Sequence, residues 1–182
     1  MPGSSARNPD GKLKVLVYLM GSLGDSIVSI PALRAVRRHF GDAEIVALQN
    51  FHSGGRVLAS EVIPVGLVNR YLSYESTKRG IERLAEMFRL WRTLRRERFD
   101  AAAYLISSER PERDVHRDRS FFRSAGISDV FGFHPIPSDE LYPTGDRGRP
   151  GRSEQEAVLK LRRLALDGIE FQRTADLGTP LI

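Results

Sequence analysis

After an apolar run, the chain reads Gly21-Ser22-Leu23-Gly24-Asp25-Ser26. Glycines let a backbone turn tightly and approach a bound molecule closely. Amides that open a following helix attract an anion. Asp25, a carboxylate in such a turn, is a candidate catalytic residue. Ser22 and Ser26 are candidate hydrogen-bond donors, and Gly21 and Gly24 shape the turn. The string is neither a GxGxxG dinucleotide loop nor a phosphate loop, because no Gly-Lys-Ser/Thr follows. By residue type alone Asp25 also fits a helix N-cap, the commoner use of Asp at such a place.

The flanking elements must position this turn. Leu13 to Met20, LKVLVYLM, is a nearly continuous apolar run that suits a buried parallel strand. Beyond the turn, Ile27, Ile30, Leu33, Val36 and Phe40 recur at helical spacing. Pro31 predicts either a kink or a true helix start with Pro in its first turn. Glu44 to Gln49 predicts a second strand, which completes a βαβ unit. Further on, the pattern predicts a short helix over 53–60, a third strand over 70–74, and a long helix over 78–98. A fourth strand over 101–106, a helix over 117–125 ending at Gly126, and a fifth strand over 130–133 follow. The Pro- and Gly-rich segment 135–152 reads as loop, and a final helix over 154–166 would be capped by Ser153. Alternating strands and helices with fully apolar strands define an α/β, Rossmann-like doubly wound parallel sheet. In such sheets ligands sit beyond the carboxyl ends of the strands, where the Gly-Asp turn falls.

Composition bounds the chemistry. The 182 residues are 41% hydrophobic and 28% charged, which fits a globular chain with a real core. The sequence contains no Cys, which removes disulfides, thiolate nucleophiles and thiolate metal sites. The four His, at positions 39, 52, 116 and 134, are scattered and read as surface or structural residues, so no metal site is expected. The start lacks the apolar core of a signal peptide, and no run approaches a membrane span. A cytoplasmic protein is therefore expected. The net charge of +5 favours polyanionic partners.

The segment KVLVYLMGSLGDSIVSIPALRAVRRHFGDAEIVAL, residues 14–48, resembles the opening of the heptosyltransferase family, glycosyltransferase family 9. Gly24-Asp25, Pro31-Ala32-Leu33-Arg34-Ala35 and Asp42-Ala43-Glu44-Ile45 match its motifs in order and spacing. Phe99-Asp100, Ala125-Gly126-Ile127, Phe131-Gly132-Phe133 and Asp167-Gly168-Ile169 resemble later family segments, so the likeness spans nearly the whole chain. The resemblance implies the acceptor-side domain of a two-domain GT-B enzyme. Such a domain would work with an inverting transfer from an ADP-heptose-like nucleotide sugar to lipopolysaccharide or another cell-surface glycan. It assigns the base to Asp25 and implies no cofactor and no divalent metal. It also implies a disordered leader over 1–12, a domain over 13–170, and a linker over 171–182 toward a carboxy-terminal donor domain that this sequence lacks. The chain would then be either a fragment or a stand-alone domain.

A phosphorylated or acidic glycolipid acceptor calls for cations. His52, Arg56, Arg110, Arg113 and Arg117 follow predicted strands two and four and are candidates for that contact. In the long helix, Ile81, Leu84, Met87, Phe88, Trp91 and Leu94 are expected to pack on the sheet. Its many arginines would leave peripheral contact with an anionic inner membrane open. Three rival readings compete with the transferase. One is a non-catalytic glycan- or phosphate-binding module that needs a partner for activity. A basic nucleic-acid binder is disfavoured because the aromatics sit at core spacing. A flavodoxin-like receiver lacks its acidic cluster.

Overall fold

A computed structural model describes residues 11–20, 23–51, 59–144, 151, 153–172 and 176–177, with Phe51 described by its backbone alone. Five strands form one sheet: β1 (Lys14–Leu19), β2 (Glu44–Phe51), β3 (Arg70–Glu75), β4 (Ala101–Tyr104) and β5 (Asp129–Phe131). Their order is β3-β2-β1-β4-β5, and every pair is parallel. This is the Rossmann order, with the most apolar strand, β1, at the centre.

Because side chains alternate across a strand, β1 feeds two cores. Val15, Val17 and Leu19 face Ala32, Leu33 and Val36 of α2 (Ile30–Phe40) and Leu161 and Leu164 of α6 (Glu156–Leu166). Leu16 and Tyr18 face Leu90 and Leu94 of α3 (Gly80–Glu97) and Val115 and Phe122 of α4 (Glu112–Ser124). Helices on both faces make the fold doubly wound, as expected from the strand patterns.

Several local expectations change. The helix after the Gly-Asp turn is split into α1 (Leu23–Val28) and α2, with Pro31 in the first turn of α2. Helix α4 starts five residues before its predicted start, directly after Pro111, whose ring suits a helix entrance. The loop over 135–152 contains a one-turn helix, α5 (Ser138–Leu141). Gln155 rather than Ser153 occupies the N-cap of α6, without a side-chain cap bond. Of the helix predicted over 53–60, Ala59 and Ser60 belong to a 3-10 turn running to Glu61; the rest lies outside the described residues.

The largest correction concerns α3. Glu86, Leu90 and Leu94 form its buried stripe, while Ile81 (84% exposed), Leu84 (71%) and Phe88 (59%) face outward. Leu90 and Leu94 fill the sheet-side core, and Glu86 accepts the Glu75 amide at 3.3 Å. The predicted apolar face therefore divides: Met87, Trp91 and Leu94 pack inward and the other three do not.

Three family-like segments turn out to be structural. Asp100 accepts the Lys14 amide at 2.7 Å and returns its own amide to the Lys14 carbonyl at 2.8 Å. These bonds fix the entry of β4 beside β1, at the amino edge of the sheet. Gly132 has φ +76°, and a Cβ there would meet the Tyr104 carbonyl at 3.0 Å and Leu164 at 3.2 Å. Asp167 accepts the Gly132 amide at 2.6 Å and bonds His134 Nε2 at 2.8 Å. Phe171 and Leu177 pack on the α2/α6 core, and buried Asp176 takes both Arg38 Nη atoms at 2.6 and 2.7 Å. Part of the segment read as a linker thus lies against the domain.

Candidate active site at the carboxyl edge

Strand order reverses between β1 and β4, and the crevice beyond such a switch point is where doubly wound sheets bind ligands. The loop after β1 delivers the Gly-Asp turn, and the loop after β4 delivers Arg110. Asp25 is half-buried in the first turn of α1, so it sits inside the helix rather than at its cap. Gly24 beside it is exposed and Ser26 is buried. Gly21, Ser22, His52 and Arg56 lie outside the described residues.

Helix α6 ties the two loops together. Its Lys160 is fully buried and donates to Ser29 Oγ at 2.8 Å, and its Nζ lies 3.5 Å from the Asp25 carbonyl oxygen. Ser29 Oγ in turn donates to that same carbonyl at 2.6 Å. One turn earlier, Glu156 lies 3.8 Å from Lys160 and accepts the amide and hydroxyl of Ser108, beyond β4, at 2.9 and 3.2 Å. Buried Arg163 donates to the Ile106 carbonyl at 2.7 Å. Burial pushes the Lys160 ammonium down to about 8, against the upward pull of Glu156 and Asp25. Nothing in the sequence of α6 marks Lys160; it reads as one more surface lysine until the fold covers it.

On the other face of the sheet a cavity of about 520 Å³ opens between the carboxyl ends of β1 to β3 and helices α3 and α4. Tyr18, Met20, Leu48 and Phe122 give it an apolar floor. The Tyr18 and Tyr74 hydroxyls bond each other at 2.8 Å. Asp118 organises the polar wall. It accepts Tyr104 Oη and Arg110 Nη2, each at 3.0 Å, and Arg117 Nη2 at 3.1 Å. Arg117 also reaches Asp114 at 2.9 Å. Burial raises the pKa of the phenols of Tyr18, Tyr74 and Tyr104, which therefore stay neutral hydroxyls. Burial would lower Arg110, but the Asp118 carboxylate outweighs it and the guanidinium is held charged.

The fold brings Arg110 and Arg117 together here; Arg113 points away, with its side chain 87% exposed, and does not line the cavity. Neither does Asp25. Three arginines (Arg83, Arg110, Arg117) meet three acids (Glu75, Asp114, Asp118), so the wall offers donors and acceptors in alternation rather than bare positive charge. Arg110 Nε is buried and makes no hydrogen bond among the described residues. Aromatic floors with such mixed polar walls suit hydroxyl-rich ligands that also carry an acidic group. Tyr18, Tyr74 and Asp118 escape a sequence reading: two sit in strands and one on a helix, and only pairing of the strands puts them in one wall.

The chain's architecture is that of a Rossmann-like α/β domain of the kind found as half of the GT-B heptosyltransferases. Its structure is similar to glycosyl transferase family 9 from Veillonella parvula DSM 2008, with a TM-score of 0.58 and 13% identity over 91% of this chain and 44% of that one. It is also similar to the E. coli ADP-heptose LPS heptosyltransferase II, with a TM-score of 0.51 and 20% identity over 93% of this chain and 45% of that one. The chain thus spans less than half the length of either solved structure. No protein-family model and no curated protein matches the sequence.

Proposed function

We propose that this chain is the acceptor-side domain of an inverting glycosyltransferase of the heptosyltransferase kind. The supporting observation is the placement of Asp25: half-buried on the turn after the central strand, at the switch point of a fold shared with half of such enzymes. In the proposed reaction an acceptor hydroxyl attacks the anomeric carbon of a nucleotide sugar. The bond from that carbon to the diphosphate oxygen breaks, Asp25 takes the hydroxyl proton, and the nucleoside diphosphate leaves. Gly24 and Ser26 of α1, with Gly21 and Ser22 just before them in the sequence, contact the acceptor. Arg110 and Arg117 hold the phosphate or carboxylate of a glycolipid acceptor, with Tyr18 and Tyr74 against its sugars. The donor sugar, with ADP-heptose the first to try, is bound by a carboxy-terminal domain.

The test is nucleoside diphosphate release from ADP-heptose and other nucleotide sugars, by this chain with and without a separately expressed donor domain. Release only with both halves, abolished by Asp25→Ala, supports the reading. A second reading, a non-catalytic saccharide-binding module, draws on the absence of Asp25 from the cavity lining. It would be favoured by saccharide binding without any release in either mixture.

A further inference from the structure

The outward face of α3 is a single stripe with two characters. Its first half carries Ile81, Leu84, Ala85 and Phe88, all exposed, at the spacing that keeps residues on one side of a helix. Its second half carries Arg92, Arg95 and Arg96, also exposed and continuing the same side, beside Arg89, which pairs with Glu86. The apolar part is held in place. Phe88 stacks on Trp91 at 5.9 Å, Trp91 donates to Ser124 Oγ at 3.2 Å, and the Arg95 guanidinium lies 5.0 Å from the indole ring. No sheet or helix packing needs Ile81 or Leu84 outside, and exposed large apolar side chains lose free energy in water.

We infer that α3 lies along the surface of an anionic phospholipid bilayer, with Ile81, Leu84 and Phe88 in the acyl–headgroup boundary and the arginines on lipid phosphates. An apolar face flanked by arginines is the pattern of interfacial helices. Charge selects the occupant: a second copy of a +5 chain would set arginine against arginine, whereas an anionic leaflet neutralises them. The same helix supplies Arg83, Met87 and Leu90 to the cavity wall, so docking sets the cavity beside the bilayer. Docking does not require transfer activity, so its failure and a failure of the transferase reading are separable.

The test is co-sedimentation of the full 182-residue chain with vesicles of phosphatidylcholine, with and without phosphatidylglycerol. Trp91 is the only Trp, so its fluorescence reports on this helix alone. Binding is expected only with the anionic lipid, with a blue shift of Trp91 and a strong decline at high salt. The double variant Arg92→Gln, Arg96→Gln should lose about 25-fold in binding, at roughly fivefold per surface cation. The variant Ile81→Ser, Leu84→Ser, Phe88→Ser should lose at least about tenfold. These side chains are exposed, so both variants should melt as the parent does. No binding to anionic vesicles, equal binding to neutral ones, or binding unmoved by either variant would overturn the inference. So would a dimer of the chain that the serine variant dissolves while vesicle binding persists.

Discussion

Lys160 Nζ donates to Ser29 Oγ at 2.8 Å across 131 residues of sequence, and Ser29 Oγ donates onward to the backbone carbonyl of Asp25. A buried ammonium on the last helix thereby fixes the turn that carries the proposed base. Glu156, one turn away, fixes the loop after β4 in the same manner.

This lysine should leave a signature in stability against pH. Its folded pKa of about 8 lies below its ordinary 10.5, so between those values the unfolded chain binds the proton and the folded chain does not. Stability from this group therefore rises as pH climbs from about 8 to 10.5, by about 3 kcal/mol, and is lost on descent. Denaturant unfolding of the parent and of Lys160→Met should differ by that much more in the parent's favour at pH 10.5 than at pH 7. A constant difference would show that Lys160 titrates normally.

Asp25→Asn keeps the backbone carbonyl that Ser29 and Lys160 grip, and Asp25 does not cap α1. Loss of the carboxylate's pull on the buried Lys160 ammonium should lower the melting temperature only slightly. Turnover with a donor domain should fall about 10²- to 10⁴-fold, the range of a lost general base. Near-parental turnover would remove Asp25 from the base role, and a large drop in melting temperature would return it to a structural one.

The arginine triplet predicted from sequence should separate by position. Arg117→Gln should weaken binding of a phosphorylated saccharide to the chain about tenfold, as loss of one charge-assisted contact does. Arg113→Gln, away from the cavity, should change it less than about twofold. Isothermal titration calorimetry on both variants checks this; equal losses would place the anion outside the cavity.

Gly132→Ala should destabilise the domain by about 2–3 kcal/mol, since a Cβ must enter the left-handed region and press on the Tyr104 carbonyl. Thermal unfolding measures it. By contrast Gly126→Ala, also at positive φ but with open space around it, should cost only about 1 kcal/mol.

The sequence by itself determined the architecture and the place of its functional turn. A continuous apolar β1, a Gly-Asp turn and a helix with an early Pro are local signals, and each acts through backbone geometry or burial of neighbouring residues. Arg110 and Arg117 were visible because they follow a strand, and loops after strands meet at one edge. Tertiary structure alone decided the rest. On α3 two apolar stripes compete at the same helical period, and the sheet accepts only the one with Leu90 and Leu94, leaving Ile81, Leu84 and Phe88 outside. The burial of Lys160, the wall built around Asp118 and the pairing of Tyr18 with Tyr74 all join residues far apart in the chain. Periodicity reports which residues share a face of their own element; what that face meets depends on how the strands pair and on which helix covers which side of the sheet.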